Sequence, residues 1–120
     1  MRYLLLCLML VGCVTAPQKQ KFSCSELNSG MMEILNETRD RIVNRQNFFH
    51  ENFEHLSAYQ IKNIVRGQIK DTHIYMEIAY DFLQLSCTTQ IQKEKIIKNY
   101  NFAKRIHTDN YNVLIQINEL

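Results

Sequence analysis

The sequence predicts an all-α protein, an up-down-up bundle of three helices, and three observations carry that prediction. Helix breakers almost vanish after residue 17: the only proline is Pro17, and the glycines are Gly12, Gly30 and Gly67. Three helix-start signals divide the chain beyond residue 22 into nearly equal segments. Within each segment apolar residues recur with helical periodicity, and strict alternation, the mark of a half-buried strand, is nowhere sustained.

The chain opens with a segment of a different kind. Arg2 precedes an apolar run, Tyr3 to Val11, that is too short to span a bilayer as a stable anchor and reads as a secretory signal. The run closes on Leu10-Val11-Gly12-Cys13. This tetrapeptide resembles the lipobox of bacterial lipoproteins at every position: aliphatic, small or aliphatic, small, cysteine. The resemblance covers only the first 13 residues. It implies that the Cys13 thiol receives a diacylglyceryl group, that a peptidase cuts before it, and that the new amino terminus is acylated, typically with palmitate. Cys7 would be discarded with the signal. In that family an aspartate after the cysteine retains many proteins in the inner membrane. Here Val14 follows, which favours the outer membrane, on its periplasmic side.

Two alternatives stay open. Val14-Thr15-Ala16 is small enough for ordinary signal cleavage after Ala16, although Pro17 would then obstruct the peptidase. A eukaryotic secreted protein is also conceivable, since Asn36-Glu37-Thr38 fits a glycosylation sequon.

Residues 1–12 are therefore read as a signal peptide, 13–22 as lipidated cysteine and tether, and 23–120 as one helical domain. The polar tether carries Pro17 and could reach roughly 30 Å when extended. Ser23-Cys24-Ser25-Glu26 then offers a capping box, a hydroxyl for free amides and a carboxylate three residues on. Ser57 to Gln60 and Thr89 to Gln92 repeat the pattern. The first segment places Cys24, Leu27, Met31, Ile34, Leu35, Thr38, Ile42, Phe49, Phe53 and Leu56 on one stripe. The second does so with Ile61, Val65, Thr72, Met76, Ala79, Leu83 and Cys87, and the third with Ile96, Tyr100, Ala103, Leu114 and Ile117. Short links between helices of about 30 residues require antiparallel neighbours. Asp71 or Thr108 could start a new helix, so a kink or a fourth short helix is allowed for.

Removing Cys7 and lipidating Cys13 leaves an even pair, Cys24 and Cys87. An exported compartment permits a disulfide, and the topology brings these two together: one opens helix one, the other closes antiparallel helix two. No Cys-x-x-Cys spacing points to redox or metal chemistry.

Fourteen basic residues against 12 acidic ones give a formal charge of +2, and no basic face calls for nucleic acid. Lys62, Arg66 and Lys70 form a short basic strip, but Asp71, Glu77 and Asp81 follow, which reads as a solvated helix face. His50 with Glu54, and Glu51 with His55, share a helix face, yet zinc would need further ligands. No nucleophile elbow, phosphate loop or nucleotide fingerprint occurs. No catalytic residue, metal or cofactor is assigned, and the expected role is not enzymatic.

Two features go beyond a plain bundle. Thr38, Arg45, Thr72, His107 and Asn110 lie on or beside the apolar stripes. Counting equal rises from the cysteine end puts Arg45, Gln68 and Asn110 at one level, either as a polar layer that sets register or with Arg45 snorkelling off the edge. The second feature is surplus apolar surface. Ile74, Ile78 and Leu85 project from the back of helix two, with Phe82 at the margin and Phe48 and Phe102 off-stripe on their own helices. A bend or extra helix covers them, or they bind a partner. The expected partner presents an amphipathic helix, and the same face could pair two copies of the chain. Such an architecture looks like that of secretion-system pilotins, a likeness of shape from which no residue carries over. An immunity or exclusion lipoprotein, neutralising a toxin, phage or conjugative element, is the alternative.

Overall fold

Three short polar signatures set the limits of the helices. The computed structural model describes residues 22–119; the signal, Cys13 and the tether through residue 21 lie outside that range. Ser23 Oγ accepts the Glu26 amide N–H at 3.1 Å and opens helix α1, Cys24–Asn52. Ser57 and Gln60 form a complete capping box at the start of α2, Ala58–Leu83. Thr89 and Gln92 make the same reciprocal pair, at 3.1 and 3.2 Å, before α3, Gln90–Glu119. Each cap satisfies amides that the first helical turn cannot pair internally. At Ser23 the carboxylate of Glu26 instead accepts from the serine hydroxyl at 3.0 Å.

The helices form the predicted up-down-up bundle, with no strand among the described residues. Asp71 and Thr108 start nothing new: α2 and α3 run through them. The one extra element among the described residues is a single 3-10 turn, Phe53–His55, at the end of α1. At the opposite end, Cys24 and Cys87 are joined, with sulfurs 2.07 Å and Cα atoms 6.1 Å apart. Cys87 sits in the link after α2 rather than on the helix itself. The same end is tied by polar groups. Thr88 Oγ1 donates to the Phe82 carbonyl at 2.8 Å, and so closes α2. The Asn28 amide donates to Thr88 Oγ1 and to Gln92 Oε1, and the Gln92 amide returns a bond to Asn28 Oδ1. First and third helices are thereby linked beside the disulfide.

One apolar cluster holds the three helices together. Leu35 and Ile42 come from α1, Tyr75, Ala79 and Phe82 from α2, and Ile96, Ala103 and Ile106 from α3. Of the α1 stripe Leu35, Thr38 and Ile42 are buried, whereas Ile34 and Phe53 are exposed. The α2 stripe is rotated. Its buried residues are Val65, Gln68, Asp71, Thr72, Tyr75, Ala79 and Phe82, while Ile61, Met76 and Leu83 lie at the edge of that arc. As the middle helix of the bundle, α2 packs against both neighbours, so its buried arc is wider than one stripe.

Candidate functional site

Of the polar level anticipated across the three helices, the part between α1 and α2 exists, and it is built differently from a simple layer. Gln68, 1% exposed, donates to the Ile42 carbonyl at 2.9 Å and to Gln46 Oε1 at 3.1 Å. Its own Oε1 accepts from Arg45 Nη1 at 2.9 Å. That same nitrogen meets Asp71 Oδ2 at 2.8 Å. Arg41 reaches both oxygens of the carboxylate, with Nη2 3.5 Å from Oδ1 and Nε 3.5 Å from Oδ2, and also donates from Nη2 to Thr38 Oγ1 at 3.2 Å. Two guanidinium groups of α1 therefore hold one carboxylate of α2.

Asp71 is buried, which corrects its reading as part of a solvated face. A buried carboxylate needs paired charge and satisfied lone pairs, and Arg41, Arg45 and the register between the helices supply both. Asn110 does not join this level; its amide donates to the Ile106 carbonyl of its own helix at 2.7 Å. The count that sets Arg45 opposite Gln68 also sets Arg41 beside Asp71, so the signal was present in the sequence.

Gly67 explains how the guanidinium fits. A Cβ there would stand 2.9 Å from Arg45 Nε and 3.0 Å from Cζ. Arg45 lies flat against the bare backbone of α2, an approach that any side chain at 67 would obstruct. Around this contact Arg41, Arg45, Gly67, Lys70, Asp71 and Ile74 line an open crevice of about 440 Å³.

The four residues proposed as a partner surface are not together in the open. Phe82 is 0% exposed and belongs to the core. Ile78 and Leu85 are half-buried and pack against that core. Ile74 is also half-buried and lines the crevice just described. The back of α2 is thus largely covered by the fold, because α2 packs against both of its neighbours. Phe102 packs on the core as well, whereas Phe48 remains exposed.

Elsewhere, Thr72 Oγ1 lies 2.7 Å from the Gln68 carbonyl and 2.9 Å from His107 Nδ1. A hydroxyl has one proton, so with it on the shorter bond His107 donates from Nδ1. His73 pairs with Glu77 at 3.0 Å on an exposed turn, and His50 meets Gln46, not Glu54. Among the described residues no group of three or more His, Cys, Asp or Glu is arranged to hold a metal ion. No described helix is long and apolar enough to cross a membrane.

A second, apolar concavity lies on α1 just beyond the tether. Phe22, Leu27, Met31 and Ile34, with Gly30 and Glu26, line a depression of about 260 Å³. Phe22 and Ile34 are both exposed there. Periodicity had placed Leu27, Met31 and Ile34 on the core stripe; Met31 does pack on the core, but Ile34 turns outward. No protein-family model matches the chain, and neither the curated proteins nor the solved structures show a significant match to it.

Proposed function

We propose that this protein is an outer-membrane lipoprotein, anchored through Cys13 and facing the periplasm, whose helical domain binds a protein partner without catalysing a reaction. A pilotin-type assembly role, in which a small anchored bundle escorts a helix of its client to the membrane, is the form of binding its architecture fits best. The observation that carries the reading is the apolar depression on α1. A single exposed apolar side chain is ordinary. Phe22, Leu27, Met31 and Ile34 instead gather in one concavity, immediately after the segment that the lipobox resemblance would tether. An apolar patch in that position suits the apolar face of an incoming helix.

The polar groups of the interior support a binding role too. Gln68 and Asp71 join α1 to α2, and Thr72 joins α2 to α3 through His107. Photo-cross-linking in the producing cell tests the proposal, with the photoreactive residue placed at Ile34 and, as a control, at Ile91, which is exposed at the start of α3. A discrete adduct with one exported or envelope protein from position 34, and not from 91, is expected. Adducts with lipid alone, or with no exported protein, would contradict it.

A further inference from the structure

The Asp71 level carries more positive charge than it uses. Arg41, Arg45 and Lys70 face one carboxylate across the crevice. Every hydrogen bond of Arg45 is made from Nη1; its Nε and Nη2, and Nη1 of Arg41, donate to nothing among the described residues. Arg41 is half-exposed and Arg45 is reachable from the crevice. Guanidinium donors fixed in place by a buried anchor are suited to a second carboxylate, because the ordering that binding demands has already been met.

The crevice and the apolar depression are separate concavities that both open on α1. Leu27, Ile34 and Arg41 are spaced seven residues apart on α1, two turns each, and so share one flank. From Leu27 to Arg41 that flank runs roughly 21 Å. It is apolar at the tether end and cationic at the other, with Ile74 of α2 as an apolar wall beside the cations.

We propose that the α1 flank from Leu27 to Arg41 seats one amphipathic partner helix, whose apolar residues meet Leu27 and Ile34 and whose glutamate or aspartate two turns further on docks between Arg41, Arg45 and Lys70. The proposal rests on the binding role advanced above and specifies the chemistry of the partner. Charge complementarity selects this occupant over a purely apolar one: a neutral helix would cover the guanidinium groups without satisfying them.

The test uses full-length lipidated protein in phosphatidylcholine nanodiscs and fluorescent amphipathic peptides. Each peptide carries leucines one heptad apart and a glutamate one heptad beyond, in both chain directions, beside twins with glutamine in place of glutamate. The better-oriented glutamate peptide should bind at least about tenfold more tightly than its twin at low salt, and the preference should shrink as salt rises. In the Arg41→Gln/Lys70→Gln variant the preference should disappear while helicity is retained, because Arg45 still pairs Asp71. An Ile34→Asp variant should weaken both twins.

Equal affinity for the twins, absence of binding by any peptide, or a preference that survives the double variant would overturn the crevice as an acid-binding site. If one-third phosphatidylglycerol in the nanodisc abolishes the preference at constant salt, lipid headgroups are its occupant and the proposal fails. Neither failure decides the wider binding role, which the cross-linking experiment reads independently.

Discussion

Tyr75 is the one buried side chain among the described residues whose polar atom has no partner. Its ring lies in the core at 1% exposure, and its hydroxyl, which faces Asn99, does not meet hydrogen-bond geometry with it. Burial raises the phenol above its usual value, against smaller opposing effects from Asn99 and the Arg39 charge. The neutral form is therefore favoured more in the folded chain than in the unfolded one. Stability from this group is complete below the unfolded value of about 10 and is lost as pH rises through the folded one. Tyr75→Phe removes an unsatisfied hydroxyl and should leave stability unchanged or raise it by up to about 1 kcal/mol at neutral pH. Denaturation curves should show its advantage widening above about pH 10; curves that stay parallel would place the hydroxyl in contact with water. A second residue-scale expectation concerns Gly67. Alanine in the middle of a helix is worth about 0.5–1 kcal/mol over glycine, but here its Cβ would meet Arg45 Nε at 2.9 Å. Gly67→Ala should stabilise in an Arg45→Met background and not in the parent, a coupling of about 1 kcal/mol in a double-mutant cycle. Equal gains in both backgrounds would show that the guanidinium does not lie on the glycine.

At the scale of elements, local signals were legible and lateral ones less so. The caps at Ser23, Ser57 and Thr89 depend on residues three apart, so a linear reading finds them. The centre of the α1 stripe was legible for the same reason: α1 buries one narrow face, marked by Leu35, Thr38 and Ile42, narrower than the stripe that also took in Ile34 and Phe53. Helix α2 was misjudged because it has two neighbours. Phe82 falls between the faces toward α1 and α3 and is buried, and Asp71 is drawn inward by Arg41 and Arg45. Of the candidate site, Arg45 and Gln68 were recognisable from level counting, while the role of Gly67 depends on a close approach that no spacing rule encodes. The pairing of Cys24 with Cys87 followed from topology and from the parity that the lipobox resemblance leaves once Cys7 and Cys13 are set aside. This staple closes a loop across a sequence separation of 63, worth about 4 kcal/mol in the chain-entropy description. Cys24→Ser/Cys87→Ser protein should accordingly unfold at a markedly lower denaturant midpoint. The loss should be concentrated at the Asn28–Thr88–Gln92 end, read as faster amide exchange there than around Asp71. Uniform exchange across the bundle would argue that the disulfide acts on the unfolded chain alone.

On the scale of the whole molecule, the pieces have a consistent polarity. The disulfide, the Asn28–Gln92 link and the apolar depression all lie at the end where the chain enters the bundle, and the cationic crevice lies further along the same flank. A tether attached at the entering end would load the best-braced part of the fold and leave the flank of α1 free to receive a partner. Oxidised cysteines and an envelope partner both presuppose export, so the proposed anchor at Cys13 is the claim on which the rest depends. Intact-mass and peptide mass spectrometry of protein extracted from the membrane fraction tests it most directly. The account predicts a mature chain that begins at Cys13 and carries a diacylglyceryl thioether and an amide-linked acyl chain, both lost when Cys13→Ser is expressed. A soluble chain beginning at Pro17, or an uncleaved chain with a free Cys13 thiol, would contradict it.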